Sequence, residues 1–142
     1  MSAATIIDAM DEVVTLLLAA WVGKPLDVPN FKSVDEAALN PKADVWARLR
    51  IQHETGRQTG LRNVNGAPLF GRAGTIIVQV FVPLGSGLKK AYDEAEIVLG
   101  AFEGRRTPSD VWFRNCRLQE VGASGNWYQI NVYADMTYDQ RG

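Results

Sequence analysis

Two segments with apolar residues at helical spacing, each followed by a pair of β-like segments, constrain the fold of this chain most. Apolar side chains recur at three- and four-residue steps from Ile6 to Trp21, and again from Leu88 to Phe102. Such spacing gives each helix one apolar stripe, which is stable in water only when another element covers it. The sequence therefore predicts two amphipathic helices that pack on a common partner.

Four segments with the composition of β-strands supply that partner. Residues 45–53 alternate between apolar and polar side chains, and residues 75–82 are rich in β-branched and aromatic types. Residues 111–121 and 126–138 are joined by a short glycine-rich link, which favours an antiparallel hairpin. We therefore predict one α+β domain over the whole chain, with both helices on one face of a four-stranded, mainly antiparallel sheet and the element order α-β-β-α-β-β.

The composition of the chain argues against several classes of function. Fifteen Lys and Arg residues against sixteen Asp and Glu leave a net charge of -1, so no global field attracts nucleic acid or an anionic membrane. The single cysteine, Cys116, and the single histidine, His53, exclude an intrachain disulfide and the usual Cys- or His-rich metal sites. The longest apolar run, residues 13–22, is too short to span a bilayer and follows acidic residues, so we expect a soluble protein.

Catalytic chemistry is not indicated by any motif. An enzyme or a small-molecule-binding domain would have to use His53, Glu54 and Asp135, and their spacing gives no reason to bring them together. The sequence Gly-Ser-Gly-Leu-Lys-Lys at 85–90 follows a strand and precedes a helix, but it lacks the rest of the dinucleotide and P-loop signatures. We predict that these residues form an ordinary helix start, and that the protein is not an enzyme and has no cofactor or metal.

The segment between the first two strands, residues 54–74, is the most unusual part of the sequence. It has glycine at positions 56, 60, 66, 71 and 74, no periodicity, and several apolar side chains. Long connections of this kind are uncommon in compact domains and are usually either functional or disordered. Because Asn65-Gly66 favours a tight turn, the segment can extend both strands as a β-arm. We predict an arm that reaches a neighbouring subunit or lines a pore; a free hairpin tip is the alternative.

The sheet face turned away from the helices is predicted to carry an aromatic and basic set of side chains. Trp46, Arg48 and Arg50 alternate onto this face of the first strand. Aromatic residues and Arg are enriched at subunit interfaces, although an ordinary solvated face would show the same pattern. The candidate interface residues on this face and on the arm are Trp46, Arg48, Arg50, Arg57, Leu61, Arg62, Leu69, Phe70 and Arg72.

Four segments together carry a family resemblance across residues 45–138. They are Val45–Leu49, the arm sequence Gly56–Gly60, the strand Ile76–Pro83 that leads into Gly85-Ser86-Gly87, and Trp127–Val132. In this order they resemble the tail-terminator, or tail-completion, proteins of long-tailed bacteriophages and prophages. The family is defined by its fold and element order more than by fixed motifs, and it has no catalytic residues to transfer to this chain.

The resemblance implies a structural subunit of a hexameric ring in the virion tail, assembled in the bacterial cytoplasm. Such a ring sits on the last ring of the tail tube, ends tube growth and offers a surface to head-neck proteins. Its partners would be copies of itself, the tail-tube protein and a head-neck protein, with at most weak contact between DNA and Arg57, Arg62 or Arg72. Another head-to-tail connector subunit is the main alternative, and a small-molecule-binding α+β domain is a further one.

Overall fold

Two helices and five strands make up the part of the chain that the structure describes. The computed structural model describes residues 6–29, 34–35, 38–60 and 69–141. In chain order the elements are α1 (Ile6–Ala20), β1 (Leu26–Asp27), β2 (Trp46–Gly60), β3 (Leu69–Pro83), α2 (Leu88–Phe102), β4 (Trp112–Ser124) and β5 (Trp127–Arg141). The strands form one sheet in the spatial order β1-β2-β3-β5-β4. The predicted α+β class is confirmed.

The sheet has one strand more than the sequence predicts. Strand β1 runs parallel to β2 and pairs Leu26 with Ala47 and Asp27 with Arg48. All other neighbouring strands are antiparallel. The predicted four-stranded sheet with the order α-β-β-α-β-β is therefore wrong, because β1 comes between α1 and β2. A strand of two residues is too short to show a period of two, and the neighbouring Pro25 favours a turn.

Both helices contribute to one core on a single face of the sheet, here called the inner face. The buried helix residues are Ala9, Val13 and Leu17 of α1, and Ala91, Ala95, Val98, Ala101 and Phe102 of α2. The buried strand residues of the same core are Ala47, Leu49, Ile76, Val78, Val80, Val82, Ile130, Val132, Ala134 and Met136. Full burial of each large aliphatic side chain contributes roughly 1.5–3 kcal/mol. The inner face thus covers the central part of each apolar stripe, whereas Ile6, Met10, Leu88 and Tyr92 stay exposed.

Glu12 ties α1 to the connection between α2 and β4. Its carboxylate accepts a hydrogen bond from the backbone N–H of Ser109 at 3.1 Å and another from the Ser109 hydroxyl at 2.6 Å. Burial pushes the pKa of Glu12 up, but the hydrogen bonds from Ser109 and Thr107 outweigh burial and hold the pKa below its usual 4.5. The ionised form of Glu12 therefore stabilises the fold.

Replacing Glu12 by Gln is expected to lower the free energy of unfolding at pH 7 by about 1–2 kcal/mol, because a charged acceptor is lost. Since the folded-state pKa is depressed, this contribution is present above the unfolded pKa and disappears as the pH falls through the folded value. Urea unfolding of wild type and Glu12→Gln should therefore differ at pH 7 and converge toward pH 3. Asp11→Asn, on the exposed side of the same helix, is the control and should change stability by less than about 0.5 kcal/mol. An equal loss at both pH values would contradict this account.

On the side of Gly74 where β3 begins, the sheet narrows to three strands. This three-stranded extension is defined here as residues 54–60 of β2, 69–73 of β3 and 137–141 of β5. Strand β3 pairs there with β2 on one side and with β5 on the other. Strand β4 ends its pairing with β5 at Thr137 and does not follow. Five residue steps along β3 give the extension a length of ~17 Å. Of the segment 54–74 predicted to form an arm, residues 61–68 lie outside the described residues and the rest is paired strand.

Gly74 lies where the sheet narrows and brings β2 and β3 unusually close together. A Cβ atom at this position would be 2.4 Å from the backbone oxygen of Gln52 and 3.0 Å from Cε of Met136. The register of β2 shifts between His53 and Thr55, directly opposite this point. Such a bulge bends a strand and increases its twist. Glycine is therefore required here by the close approach of the neighbouring backbone.

Candidate functional site

The sheet face opposite the helices, here called the outer face, is partly covered by the chain itself. Trp46 is 0% exposed, and its ring stacks on Phe81 with centroids 4.2 Å apart and meets the edge of Trp127 at 6.1 Å. Val34 and Leu39 pack against this outer cluster of Trp46, Phe81 and Trp127. The predicted interface role of Trp46 stays a prediction. Within the subunit its side chain is buried, because strand alternation identifies the face of a side chain but not what covers it.

Arg48 and Arg50 lie on the outer face beside Asp27 of β1. Arg48 Nε is 3.8 Å from the Asp27 carboxylate, and Arg50 Nη1 is 4.0 Å from it. The guanidinium of Arg48 also lies 5.1 Å from the centroid of the Trp46 ring. The two arginine side chains remain 33% and 46% exposed. One carboxylate is thus shared by two arginines, and part of their positive charge stays available at the surface.

A hydrogen-bonded row of polar side chains follows β5 on the outer face. Gln129 Nε2 donates to Asn131 Oδ1 at 2.8 Å, and Asn131 Nδ2 donates to the Tyr133 hydroxyl at 3.1 Å. Asp135 continues the row and accepts a hydrogen bond from Arg117 at 3.3 Å. Gln129 and Asn131 are only 8% and 9% exposed, so their side chains are held in place. The part of this row that reaches the surface is therefore its end at Tyr133 and Asp135, which are only partly buried.

The residues considered for catalysis do not come together in the described structure. His53 is in register with Met136 on the inner face, whereas Asp135 is in register with Thr75 on the outer face. Alternate residues of a strand point to opposite sides of a sheet, so the two side chains are separated by the sheet itself. Glu54 lies on β2, where the structure describes only its backbone. These positions give no triad geometry.

His53 contacts Tyr138 at the base of the extension. His53 Nε2 lies 2.9 Å from the Tyr138 hydroxyl, and the two rings meet edge to face. Burial, together with the charge of Arg72, lowers the pKa of His53, and burial raises the pKa of Tyr138. Both effects favour the neutral forms, which can share this hydrogen bond. The pair links β2 to β5 across β3, a contact that no local sequence signal predicts.

The remaining candidate interface residues belong to the extension or to its tip. Arg72 lies on β3 in register with Tyr138. Arg57, Leu69 and Phe70 lie on the strands of the extension, where the structure describes only the backbone. Leu61 and Arg62 lie outside the described residues. The positions of these side chains at an interface stay a prediction.

The Gly-Ser-Gly-Leu-Lys-Lys segment is the start of α2. Gly87 is the N-cap with a φ of 101°, and the Ser86 hydroxyl donates a hydrogen bond to the Pro83 carbonyl at 2.7 Å. Lys89 pairs with Asp93 one helical turn later. Across residues 6–29, 34–35, 38–60 and 69–141, no group of three or more His, Cys, Asp and Glu residues is placed to hold a metal ion. In the same ranges no helix has the length and apolar content needed to cross a membrane.

Comparison with known proteins identifies the fold and no function. No family model matches the chain, and no curated protein sequence matches it. Among solved structures 23 chains match. One of them, which carries no functional name, superposes with a TM-score of 0.64 at 16% sequence identity, covering 95% of this chain and 96% of that chain. At this level of identity the likeness shows a shared fold alone.

Proposed function

We propose that this protein is a phage tail-terminator subunit, which forms a hexameric ring on the last ring of the tail tube. The ring ends tube polymerisation and offers a docking surface to a head-neck protein. On this proposal the protein is not an enzyme, is assembled in the bacterial cytoplasm and is found in the virion tail. The observation that carries the proposal is the three-stranded extension of the sheet beyond Gly74.

The extension supports an assembly role because its outer strands lack neighbours within the described chain. Strand β1 pairs with β2 only at Ala47 and Arg48, and β4 pairs with β5 only as far as Thr137. In the part of the chain that the structure describes, residues 54–60 of β2 and the end of β5 after Thr137 therefore pair with β3 on one side and with no strand on the other. Free strand edges present unpaired N–H and C=O groups, which are a template for pairing with another chain. A neighbouring subunit or the tube is the natural partner for such an extension.

The outer face supports the same role through its chemistry. Partly exposed Arg48 and Arg50 lie on the same face as the row from Gln129 to Asp135, with β3 between them. Protein interfaces that form after folding combine Arg and aromatic residues with many hydrogen bonds and bridging waters. An ordered polar face with exposed arginines fits a docking surface for another tail or neck protein.

Tube growth in vitro tests the proposed function directly. The tail-tube protein encoded in the same genome is allowed to polymerise with and without this protein, and tube lengths are measured by electron microscopy. The proposal predicts shorter tubes, each with extra density at one end. Tubes of unchanged length without end density would contradict it.

Deleting Gly60–Gly71 is expected to abolish tube capping while leaving a folded subunit, because both helices and their inner-face core lie outside the deleted stretch. Far-UV circular dichroism and a cooperative thermal transition check folding, and the tube-length assay checks function. Lys89→Ala, whose side chain is 89% exposed on α2, is the control and should cap tubes normally. Normal capping by the folded deletion variant would show that the extension is not the part used for assembly.

A further inference from the structure

The body of the sheet has two free edges on opposite sides of the molecule. Strand β1 covers β2 only at Ala47 and Arg48, so from Leu49 onward β2 is paired on one side only in the described chain. At the other end of the sheet β4 pairs with β5, and among the described residues its other side is covered only at Trp112, by a single bridge from Arg106. Within the described residues, each of these two edges therefore lacks a strand partner, although the Leu49 and Asn115 carbonyls accept hydrogen bonds from the side chains of Arg50 and Arg117.

The directions of these two edge strands fit one another. Neighbouring long strands alternate in direction across β2, β3, β5 and β4, so β4 runs antiparallel to β2. When a second copy is rotated about an axis parallel to the strands, the directions of its strands do not change. Its β2 would then meet β4 of the first copy in the antiparallel orientation, and the alternation would continue around a closed ring. Ring contacts of this head-to-tail kind join two different patches of the same monomer.

Side chains at the two edges also match in character. Ile51 on β2 and Leu118 on β4 both lie on the inner face, and both are only partly buried against the core. When Ile51 faces Leu118 in an antiparallel pair, Arg50 faces Gln119 and Gln52 faces Arg117. No like charges are directly opposed in this register, and the free edges of the inner core cover each other.

Exposed apolar residues of the helices flank both edges. Tyr92 of α2 is 37% exposed and lies beside β4, where a hydrogen bond to Glu120 raises the pKa of the tyrosine. On α1, exposed Ile7 and Leu18 lie roughly 120–140° around the helix from Glu12, which contacts the connection to β4. These two side chains thus face away from the β4 side. Apolar surface is therefore available beside both edge strands.

We propose that residues 116–120 of β4 in one copy pair antiparallel with residues 49–53 of β2 in the next, with Leu118 opposite Ile51, so that the subunit sheets join into one continuous ring. Ala47 and Arg48 keep their pairing with β1. This proposal rests on the ring-forming function proposed above and specifies its subunit contact. The occupant of each edge is a second copy of this chain, because the two edges of one subunit match each other in strand direction and in their apolar side chains Ile51 and Leu118.

Disulfide trapping tests the junction. Directly opposed Cβ atoms in an antiparallel pair lie about 4.5–5.5 Å apart, close to the reach of a disulfide. In a Cys116→Ser background, Arg50→Cys combined with Gln119→Cys should form on mild oxidation a ladder of covalent oligomers larger than a dimer. Lys89→Cys combined with Gln119→Cys is the control pair and should give no ladder. Light scattering on the unoxidised samples, alone and with tail-tube protein, reports ring formation separately.

Together, the outcomes distinguish the proposed β4–β2 junction from the proposed ring-forming function. A ring by light scattering together with a ladder supports the β4–β2 junction. A ring without a ladder overturns the junction and leaves the ring-forming function standing. A product that stops at a dimer with Gln119→Cys alone shows that β4 pairs with β4 of another copy, which also overturns the junction. Absence of a ring under both conditions overturns both proposals.

A charge test gives the junction an independent readout. Gln119→Lys places a positive charge opposite Arg50 and should weaken ring assembly several-fold, whereas Gln119→Glu places an attractive charge there and should preserve assembly. Gln119 is exposed, so neither variant should alter the fold of the subunit. Equal effects of the two substitutions would overturn the proposed register.

Discussion

Replacing Trp46 by Ala is expected to lower the free energy of unfolding by about 3–5 kcal/mol, because a large side chain is removed from a fully buried site. The variant loses the stacking on Phe81 and the edge contact with Trp127, and it leaves a cavity under Val34 and Leu39. Urea unfolding followed by circular dichroism measures the loss. Trp46 should therefore behave as a core residue of the subunit, although strand alternation places it on the outer face.

Two further substitutions separate the causes of this effect. Trp46→Phe keeps an aromatic ring on Phe81 and should cost much less, since Trp46 Nε1 has no hydrogen-bond partner among the residues the structure describes. Trp112→Ala is the matched control at a tryptophan that is 44% exposed and stacks with Arg106. It should cost about 1 kcal/mol or less. A loss at Trp46→Ala as small as that of the control would mean that the outer cluster is not a core and that Trp46 is free for an interface.

Replacing Gly74 by Ala is expected to lower the free energy of unfolding by about 2–3 kcal/mol, the usual result of overpacking a tight site. The added methyl group would lie 2.4 Å from the Gln52 backbone oxygen, which cannot move away without opening the pairing of β2 with β3. Thermal and urea unfolding measure the loss. Hydrogen exchange should show the largest loss of protection in β2 next to Gln52.

Gly100 provides the matched control for this substitution. It lies in the middle of α2, and a Cβ atom there would meet nothing within 4 Å. Gly100→Ala should therefore raise stability by about 0.5–1 kcal/mol through helix propensity. Opposite signs for the two variants would show that the effect at Gly74 comes from the close approach of β2. A neutral or stabilising Gly74→Ala would show that the base of the extension is not held as tightly as the structure indicates.

The helices and the strand faces could be predicted from the sequence because their signals are local. The stripe from Leu88 to Phe102 coincides with α2, and the alternation from Trp46 to Ile51 assigns each side chain to the correct face of β2. Periodicity depends only on the geometry of one element, so no knowledge of its neighbours is needed. The two-helix α+β class followed from these signals.

The features that the sequence did not predict all depend on contacts between distant parts of the chain. Strand β1 has only two residues, and its pairing with Ala47 and Arg48 is visible only in three dimensions. The cover over Trp46 comes from a connector without periodicity. The contact of His53 with Tyr138 joins residues 85 positions apart. Local patterns therefore predicted where side chains point, and tertiary contacts decided which of them stay exposed.

The extension could be predicted from the sequence only in part. The glycines and the Asn65-Gly66 dipeptide were sufficient to suggest an arm between β2 and β3. They gave no indication that β5 continues to Arg141 and pairs with β3 along the same stretch. A strand of that length has no distinct composition at its end, so its boundary is set by the partner strand.

Light scattering of the purified protein, alone and mixed with its tail-tube protein, tests the central claim of a ring-forming terminator most directly. The account predicts a mass of six times the 15.6 kDa subunit for the protein alone, or the addition of six subunits to the tube protein when the two are mixed. A mass of one subunit under both conditions would contradict it.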